Sequence, residues 1–479
     1  MDSKDPKNLI EYRDITLNSK SPSFCGAKWG NSTIWLHSGK TTSCHHPRPH
    51  DISVEDIAKD PSMLHNTNHK MEQRRLMQTG ERPKECQYCW KVEDMGPDYV
   101  SDRIYKSLQF TPQEMRKWAE APHTERVVPP TIEVSFSRTC NFACSYCNAD
   151  FSTEWRKDIK KNGAYGMETE GGNVFSIDGD KNNPYEKLKG MENPYTKAWW
   201  EWWPELSKGL RTLRITGGEP LMSDDVWKLF DRCKEEGHKF EVGLNSNLGA
   251  KPALIDRLID ASWGMHNLTL FTSNETIGKQ AEYIRWGLDY DYWCHNMERV
   301  FEESNIRRTV VMMTINALCL FGITDFLDQM MIWKNKYKHK SIGISINFLR
   351  FPACQALVTL PDHIRERLAS EIEMWYHTNK TDNMLNAMEK GDITSPNLYV
   401  DIFERKQGIR IVRLKERFEP HQANLKDDYA LIKAAAENDK KQRTTAKWVD
   451  SKIFNAFIRI DENYQSCSFQ HQWLPTLNK

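Results

Sequence analysis

The sequence predicts an α/β fold built on a largely parallel sheet, and three observations lead there. Short segments rich in Val, Ile, Leu and Thr recur six times between residues 131 and 350. Longer stretches with helical apolar spacing lie between them. Glycine- and asparagine-rich turns, such as GGEP and NSN, close several of the strand-like segments. Strands alternating with helices indicate βα units, and βα units build parallel sheets.

In chain order, TIEVSFS (131–137) alternates apolar and polar residues and reads as the first strand. LRIT (213–216) is the second, GGEP (217–220) its turn, and DDVWKLFDRCKEE (224–236) a helix with acidic residues at its start. KFEVGLNSNLG (239–249) is a strand ending in Asn245, Ser246 and Asn247. NLTLFTSNETIGKQAEYIRWGLDYDYW (267–293) gives a strand, a turn and a helix, and RTVVMMTINAL (308–318) and KSIGISINFLR (340–350) complete the set. Ligands gather at the carboxyl ends of strands in such folds.

A chain of 479 residues can bury more than one core. Its formal net charge is zero, which argues against gripping nucleic acid by bulk electrostatics. No apolar window is long enough to span a membrane, and the N-terminal MDSKDPKNLIEYRD lacks a hydrophobic signal region, so a cytoplasmic protein is expected. Twelve cysteines in such a compartment point to metal or cluster ligation rather than a disulfide framework. Cys233, Cys294, Cys319, Cys354 and Cys467 are scattered and read as ordinary thiols. The aromatic run WWEWW (199–203) reads as helix packing.

Cys140, Cys144 and Cys147 fall on the loop leaving the first strand, spaced CxxxCxxC. A structural zinc normally takes four protein ligands, which three cysteines supply poorly. A [4Fe–4S] cubane held by three thiolates instead leaves one iron open to an external ligand. The spacing, the aromatic Tyr146 before the last cysteine, and GGEP after the second strand resemble the radical S-adenosylmethionine (SAM) superfamily. That resemblance implies a partial (β/α)6 barrel whose open iron chelates SAM, and reductive cleavage of SAM to a 5′-deoxyadenosyl radical that abstracts hydrogen from a substrate. It also implies an electron donor such as a flavodoxin or ferredoxin.

The same resemblance implies roles for individual residues. Gly217, Gly218, Glu219 and Pro220 would hold the SAM amino group, with the glycines allowing close backbone approach and Glu219 accepting from the ammonium. Asn245 and Asn247 lie at the next strand end. Ser273 would face the ribose, although SNET stands where relatives carry an SIDG-like segment. Arg285 in EYIRWG would meet the SAM carboxylate or lie on a helix surface. Thr314 and Asn316 would contact adenosine.

A second set, Cys25, Cys44, Cys86 and Cys89, occupies the N-terminal region. The glycine of SGKTT suits a hairpin that would bring Cys25 and Cys44 together, and DISVEDIAKD and HKMEQRRLMQ read as short helices. Two strands followed by CxxC and CWKVEDMG resemble the twitch and SPASM modules that hold auxiliary clusters, although those usually follow the barrel. Four thiolates would saturate a second [4Fe–4S] cluster; the competing reading is zinc held by the four cysteines or by a mixture of cysteine and histidine. His37, His45, His46, His50, His65 and His69 lie in the same region, each reading singly as a solvated polar residue.

The expected organisation is therefore a cysteine-rich module over 1–125, a radical SAM core over 126–352 and a mostly helical region over 353–479. The polar stretch from Asp150 to about Pro194 reads as a long loop beginning with DFSTEW, which the family also carries there. DHIRERLASEIEMWYHTN, DDYALIKAAAENDKKQ and FNAFIRIDENYQ read as C-terminal helices. The leading function is a radical SAM enzyme acting on a peptide or protein. Modification of a nucleotide or nucleic acid is the second enzymatic reading, and a non-catalytic metal protein is the third.

Overall fold

The computed structural model describes residues 6–164, 192–386, 397–400 and 407–410. The chain divides into two compact units, Met1–His377 and Thr378–Lys479. In the first, the N-terminal region contributes strands β1 (Asn31–Trp35), β2 (Lys40–Thr42) and β3 (His50–Asp51). There follow β4 (Thr131–Ser135), the two-residue β5 (Ala143–Cys144), β6 (Thr212–Thr216), β7 (Glu241–Ser246) and β8 (Leu268–Ser273). The two-residue β9 (Arg285–Trp286), β10 (Arg308–Ile315) and β11 (Ser341–Phe348) complete the unit. In the second unit, β12 (Asn397–Val400) and β13 (Gln407–Arg410) pair antiparallel.

Nine strands of the first unit form one sheet in the order β11-β10-β8-β7-β6-β4-β1-β2-β3. The six strands expected from the sequence are β4, β6, β7, β8, β10 and β11, and every pairing among them is parallel. Intervening helices include Pro194–Gly209, Asp224–Glu235, Pro252–Ser262, Tyr290–Glu303 and Ile323–Lys336. The fold is thus α/β with a mostly parallel sheet. The hairpin β1–β2 forms around SGKTT, with Gly39 at φ 65, and β1 then pairs in parallel with β4.

Side-chain alternation explains both faces of the sheet. Ile132, Val134, Leu213, Ile215, Leu244, Leu270 and Val311 are fully buried in the core. The alternate residues Glu133, Arg214, Gly243 and Phe271 instead line a cavity of about 530 Å³, together with Thr33 and Trp35 of β1. A polar, cavity-facing side is why these parallel strands alternate rather than running continuously apolar.

The WWEWW run lies in the core. Trp199, Trp202 and Trp203 are buried, and Trp199 meets Phe136 edge-on at 5.6 Å. Burying each ring contributes on the order of 2–3 kcal/mol. The indole N–H groups of Trp199 and Trp202 have no partner among the described residues, which offsets part of that gain.

Part of the stretch read as a long loop is ordered. Thr153–Asn162 is a helix whose N-terminus is capped by Ser152, accepting from the Glu154 amide. The charged segment beginning DHIRERL is also helical, over Asp362–Asn386. DDYALIKAAAENDKKQ, FNAFIRIDENYQ and Cys467 lie outside the described residues. Among the described residues, no helix is long and apolar enough to cross a membrane.

Candidate metal and cofactor site

The chain leaves β4 at Ser135 and enters the cysteine loop, which is held from three sides. The first is the helix that follows it. The Thr153 hydroxyl lies 3.1 Å from both the amide and the carbonyl of Cys140, Ser152 donates to the Phe142 carbonyl at 2.6 Å, and Trp155 Nε1 donates to the Cys144 carbonyl at 2.9 Å. DFSTEW is therefore a clamp on the loop. Between the first two cysteines, Phe142 is buried in the core and anchors it.

The second side is the GGEP turn. The Gly218 amide donates to the Ser137 carbonyl at 3.1 Å and the Glu219 amide to the Thr139 carbonyl at 2.7 Å. A Cβ on Gly218 would lie 2.4 Å from the Thr139 oxygen, and one on Gly217 would lie 2.5 Å from the Ser137 oxygen. Gly217 also has φ 141, which favours glycine. Both glycines are thus needed for close approach to the backbone that carries Cys140.

The Glu219 side chain is 1% exposed. It accepts from Ser246 Oγ at 2.8 Å, the Asn247 amide at 2.7 Å and the Leu221 amide at 3.1 Å. Burial raises its pKa to about 7, against hydrogen bonds that favour the ionised form. Glu219 thereby ties the GGEP turn to the end of β7. Asn247 continues the connection, donating from Nδ2 to Asn141 Oδ1 at 2.9 Å inside the cysteine loop.

The third side is β9. Cys144 and Arg285 are register partners in the β5–β9 pair, and the Ser145 amide donates to the Ile284 carbonyl at 2.7 Å. Arg285 is buried at 4% exposure, not on a helix surface. Its Nη2 and Nε donate to Glu275 Oε2 at 2.6 and 3.2 Å, so its guanidinium already has a carboxylate partner within the chain. Its Nη1 lies 3.8 Å from the Cys144 sulfur. Tyr146 donates to Glu275 Oε1 at 3.0 Å, and the Arg285 guanidinium lies 5.4 Å from the Tyr146 ring centre. Burial alone would lower the Arg285 pKa, but Glu275 more than offsets this and holds it charged.

Glu275 was not singled out in the sequence. Its only signal was its place in SNET, where the expected motif fails. The other expected residues occupy neighbouring strand ends. Asn245 is tied to the cavity-facing Arg214, accepting from its Nε at 3.0 Å. Ser273 ends β8 and is half-buried. Asn316 is fully buried, and its amide is engaged locally: Nδ2 donates to the Thr314 carbonyl and Oδ1 accepts from the Leu318 and Cys319 amides. Asn316 thus shapes the turn that leaves β10.

The four N-terminal cysteines meet as well. Cys25, Cys44, Cys86 and Cys89 line one small cavity together with Lys28, His46, Arg103 and Lys106. Lys28 is buried and ion-paired with Glu85, and Arg103 Nε is paired with Glu93 at 2.6 Å. Burial pushes the Cys86 and Cys89 thiols up to about 12. In the other set, burial likewise raises Cys140 to about 12 and also raises Cys144 and Cys147. Among the described residues, the one set of three or more His, Cys, Asp or Glu ligand atoms lying within 4.8 Å of one another is His45, His46 and Asp102. Neither cysteine set is drawn together that tightly.

Two histidines depart from the solvated expectation. His65 is fully buried, with Nε2 2.9 Å from the Trp29 carbonyl and also 2.9 Å from Arg74 Nη2. His37 is buried with Nδ1 3.1 Å from Ser135 Oγ, and burial lowers its pKa to about 4. Both replace water with fixed polar partners, which short-range sequence patterns do not reveal.

The fold and this loop define an α/β protein with a three-thiol site at the carboxyl end of its first core strand. Residues 134–326 match the family model of the radical SAM superfamily. Among solved structures, it is similar to Streptococcus suis SuiB, at 13% identity over 66% of this chain and 65% of that one, with a TM-score of 0.36. It is also similar to SuiB bound to the precursor peptide SuiA, at 11% identity over 72% and 68%, with a TM-score of 0.34. A third is anSMEcpe with bound AdoMet, at 14% identity over 46% and 53%, with a TM-score of 0.27. The chain thus spans 65% of the first of these structures and 53% of the third. No curated protein matches it.

Proposed function

We propose that the protein is a radical SAM enzyme acting on a peptide or protein, with Cys140, Cys144 and Cys147 holding a SAM-binding [4Fe–4S] cluster. The observation that carries this reading is the family match over 134–326, which contains all three cysteines and GGEP. The donor set supports the cluster: a structural zinc normally takes four protein ligands, whereas three thiolates on a cubane leave one iron open to an external ligand.

When bound, the cluster and SAM supply the reductive cleavage that yields a hydrogen-abstracting radical. The chain's residues position and shield. Glu219 holds the GGEP turn against the cysteine loop and presents carboxylate charge near where the ammonium of SAM would lie. Arg285, Glu275 and Tyr146 fix the loop between Cys144 and Cys147. The 530 Å³ cavity on the polar face of the sheet is the candidate substrate chamber. The peptide class rests on the resemblance of the N-terminal cysteine pattern to twitch and SPASM modules.

Cys25, Cys44, Cys86 and Cys89 line one cavity and supply four thiols, the ligand set of a second [4Fe–4S] cluster or of a structural zinc. Lys28, Arg103 and Lys106 around the same cavity suit a centre made negative by four thiolates. Anaerobic reconstitution followed by measurement of 5′-deoxyadenosine release from SAM tests the enzymatic reading. Release that survives Cys140→Ala, Cys144→Ala and Cys147→Ala together would overturn it.

A further inference from the structure

We propose that His45, His46 and Asp102 form a mononuclear site for a first-row divalent cation of the zinc or iron(II) class, with coordination positions left open. Asp102 Oδ2 lies 2.7 Å from His46 Nε2 and 3.3 Å from His45 Nε2. Two ligands each about 2.1 Å from one metal stand roughly 3.0–3.4 Å apart in octahedral or tetrahedral geometry. These two separations are close to those values, and the two imidazole nitrogens lie within 4.8 Å of each other. Two imidazoles and one carboxylate leave room for water or an exogenous ligand, the pattern of open rather than structural sites.

The surroundings favour a preformed site. The His46 ring stacks on Tyr88 at 3.8 Å and 14°, which fixes its orientation. Asp102 is the first residue of the helix Asp102–Ser107, a rigid element. The His45 side chain is 66% exposed and lines the same 530 Å³ cavity as Glu133 and Arg214, so an exogenous ligand can approach from the candidate substrate chamber. Lys106 lines that cavity too and opposes a cation, which argues for a moderate-affinity site and for an anionic exogenous ligand such as a carboxylate. His46 also borders the four-cysteine cavity, but the site uses none of those sulfurs.

The inference does not depend on SAM chemistry, and its test reads metal binding alone. The reconstituted full-length protein is dialysed against zinc. Iron and zinc are counted by mass spectrometry, and the zinc ligands are identified by X-ray absorption. One zinc per chain with only nitrogen and oxygen neighbours is expected. His45→Ala and Asp102→Asn should each weaken zinc binding at least tenfold while leaving iron unchanged. Because His45 is largely exposed, its replacement leaves the core intact. Absence of any zinc bound through nitrogen and oxygen alone, or zinc of that kind retained in both variants, overturns the site; zinc with sulfur neighbours belongs to the four-cysteine cavity and is counted separately. None of these outcomes bears on 5′-deoxyadenosine release, so failure here is distinguishable from failure of the enzymatic reading.

Discussion

Arg285 and Glu275 form a buried ion pair, with Nη2 and Oε2 2.6 Å apart, at the edge of the cysteine loop. Removing one partner leaves an uncompensated buried charge, which typically costs about 3–5 kcal/mol. Arg285→Met should therefore destabilise the protein by that order. The double variant Arg285→Met with Glu275→Leu should recover most of the loss, since a well-packed apolar pair is often as stable. Denaturant unfolding of the four members of this cycle measures both. Additive losses would mean that the pair is not coupled.

Glu219 gives a pH signature. Its folded pKa of about 7 lies above the ordinary carboxyl value because of burial. A raised acid pKa contributes stability that is fully present below the unfolded value, near pH 4.3, and is lost as pH rises through 7. The SAM-free protein should lose on the order of 3 kcal/mol across that window. Glu219→Gln should abolish this slope. It should also lower overall stability, because its amide N–H₂ must face a donor among Ser246, Leu221 and Asn247. If SAM binds as proposed, its ammonium favours the ionised carboxylate and should flatten the wild-type slope. Parallel pH profiles of wild type and variant would remove Glu219 as the source.

These residues show where sequence reasoning succeeds. The strands and the three-cysteine loop were legible because they depend on short-range periodicity and fixed spacing. GGEP was legible as a turn, but the backbone contact it makes was not. The contact that demands glycine joins residues 217–218 to 137–139, and no local pattern encodes that pairing. Glu275 was hidden for the same reason: its partners Tyr146 and Arg285 lie 129 and 10 residues away. The parallel pairing of β1 with β4 brings together segments separated by 95 residues of sequence, so the site of N-terminal docking could not be read from either strand alone. The burial of His37 follows from that pairing, through its contact with Ser135 at the end of β4.

Gly218→Ala should uncouple cluster uptake from folding of the core. The added methyl meets backbone oxygens of Arg138 and Thr139, which cannot move aside as a flexible side chain would. Overpacking of this kind costs roughly 1–3 kcal/mol, less than the stability of a typical domain. The strain falls on the segment carrying Cys140, so iron bound after reconstitution should drop while the far-ultraviolet circular dichroism stays near that of the wild type. Full iron content in Gly218→Ala would show that the turn tolerates displacement.

The N-terminal cysteines allow the two metals to be separated by stoichiometry and by protons. Burial holds Cys86 and Cys89 near 12, so without metal both thiols are protonated at neutral pH. A metal centre binds thiolates, so loading must displace those protons, and uptake should release acid and strengthen steeply as pH rises. Proton release in weak buffer should fall in the variant combining Cys86→Ala with Cys89→Ala. If the site holds a cubane, wild type should carry about eight irons and that variant about four. If it holds zinc, both should carry about four irons, and only the wild type should add a zinc with sulfur neighbours. The variant should retain SAM cleavage in either case, because Cys140 and Cys144 pack in a separate cluster of the core from Cys86 and Cys89. Loss of all iron on replacing Cys86 and Cys89 would instead mean that the barrel site cannot form without the N-terminal one, as the shared sheet β1–β4 would permit.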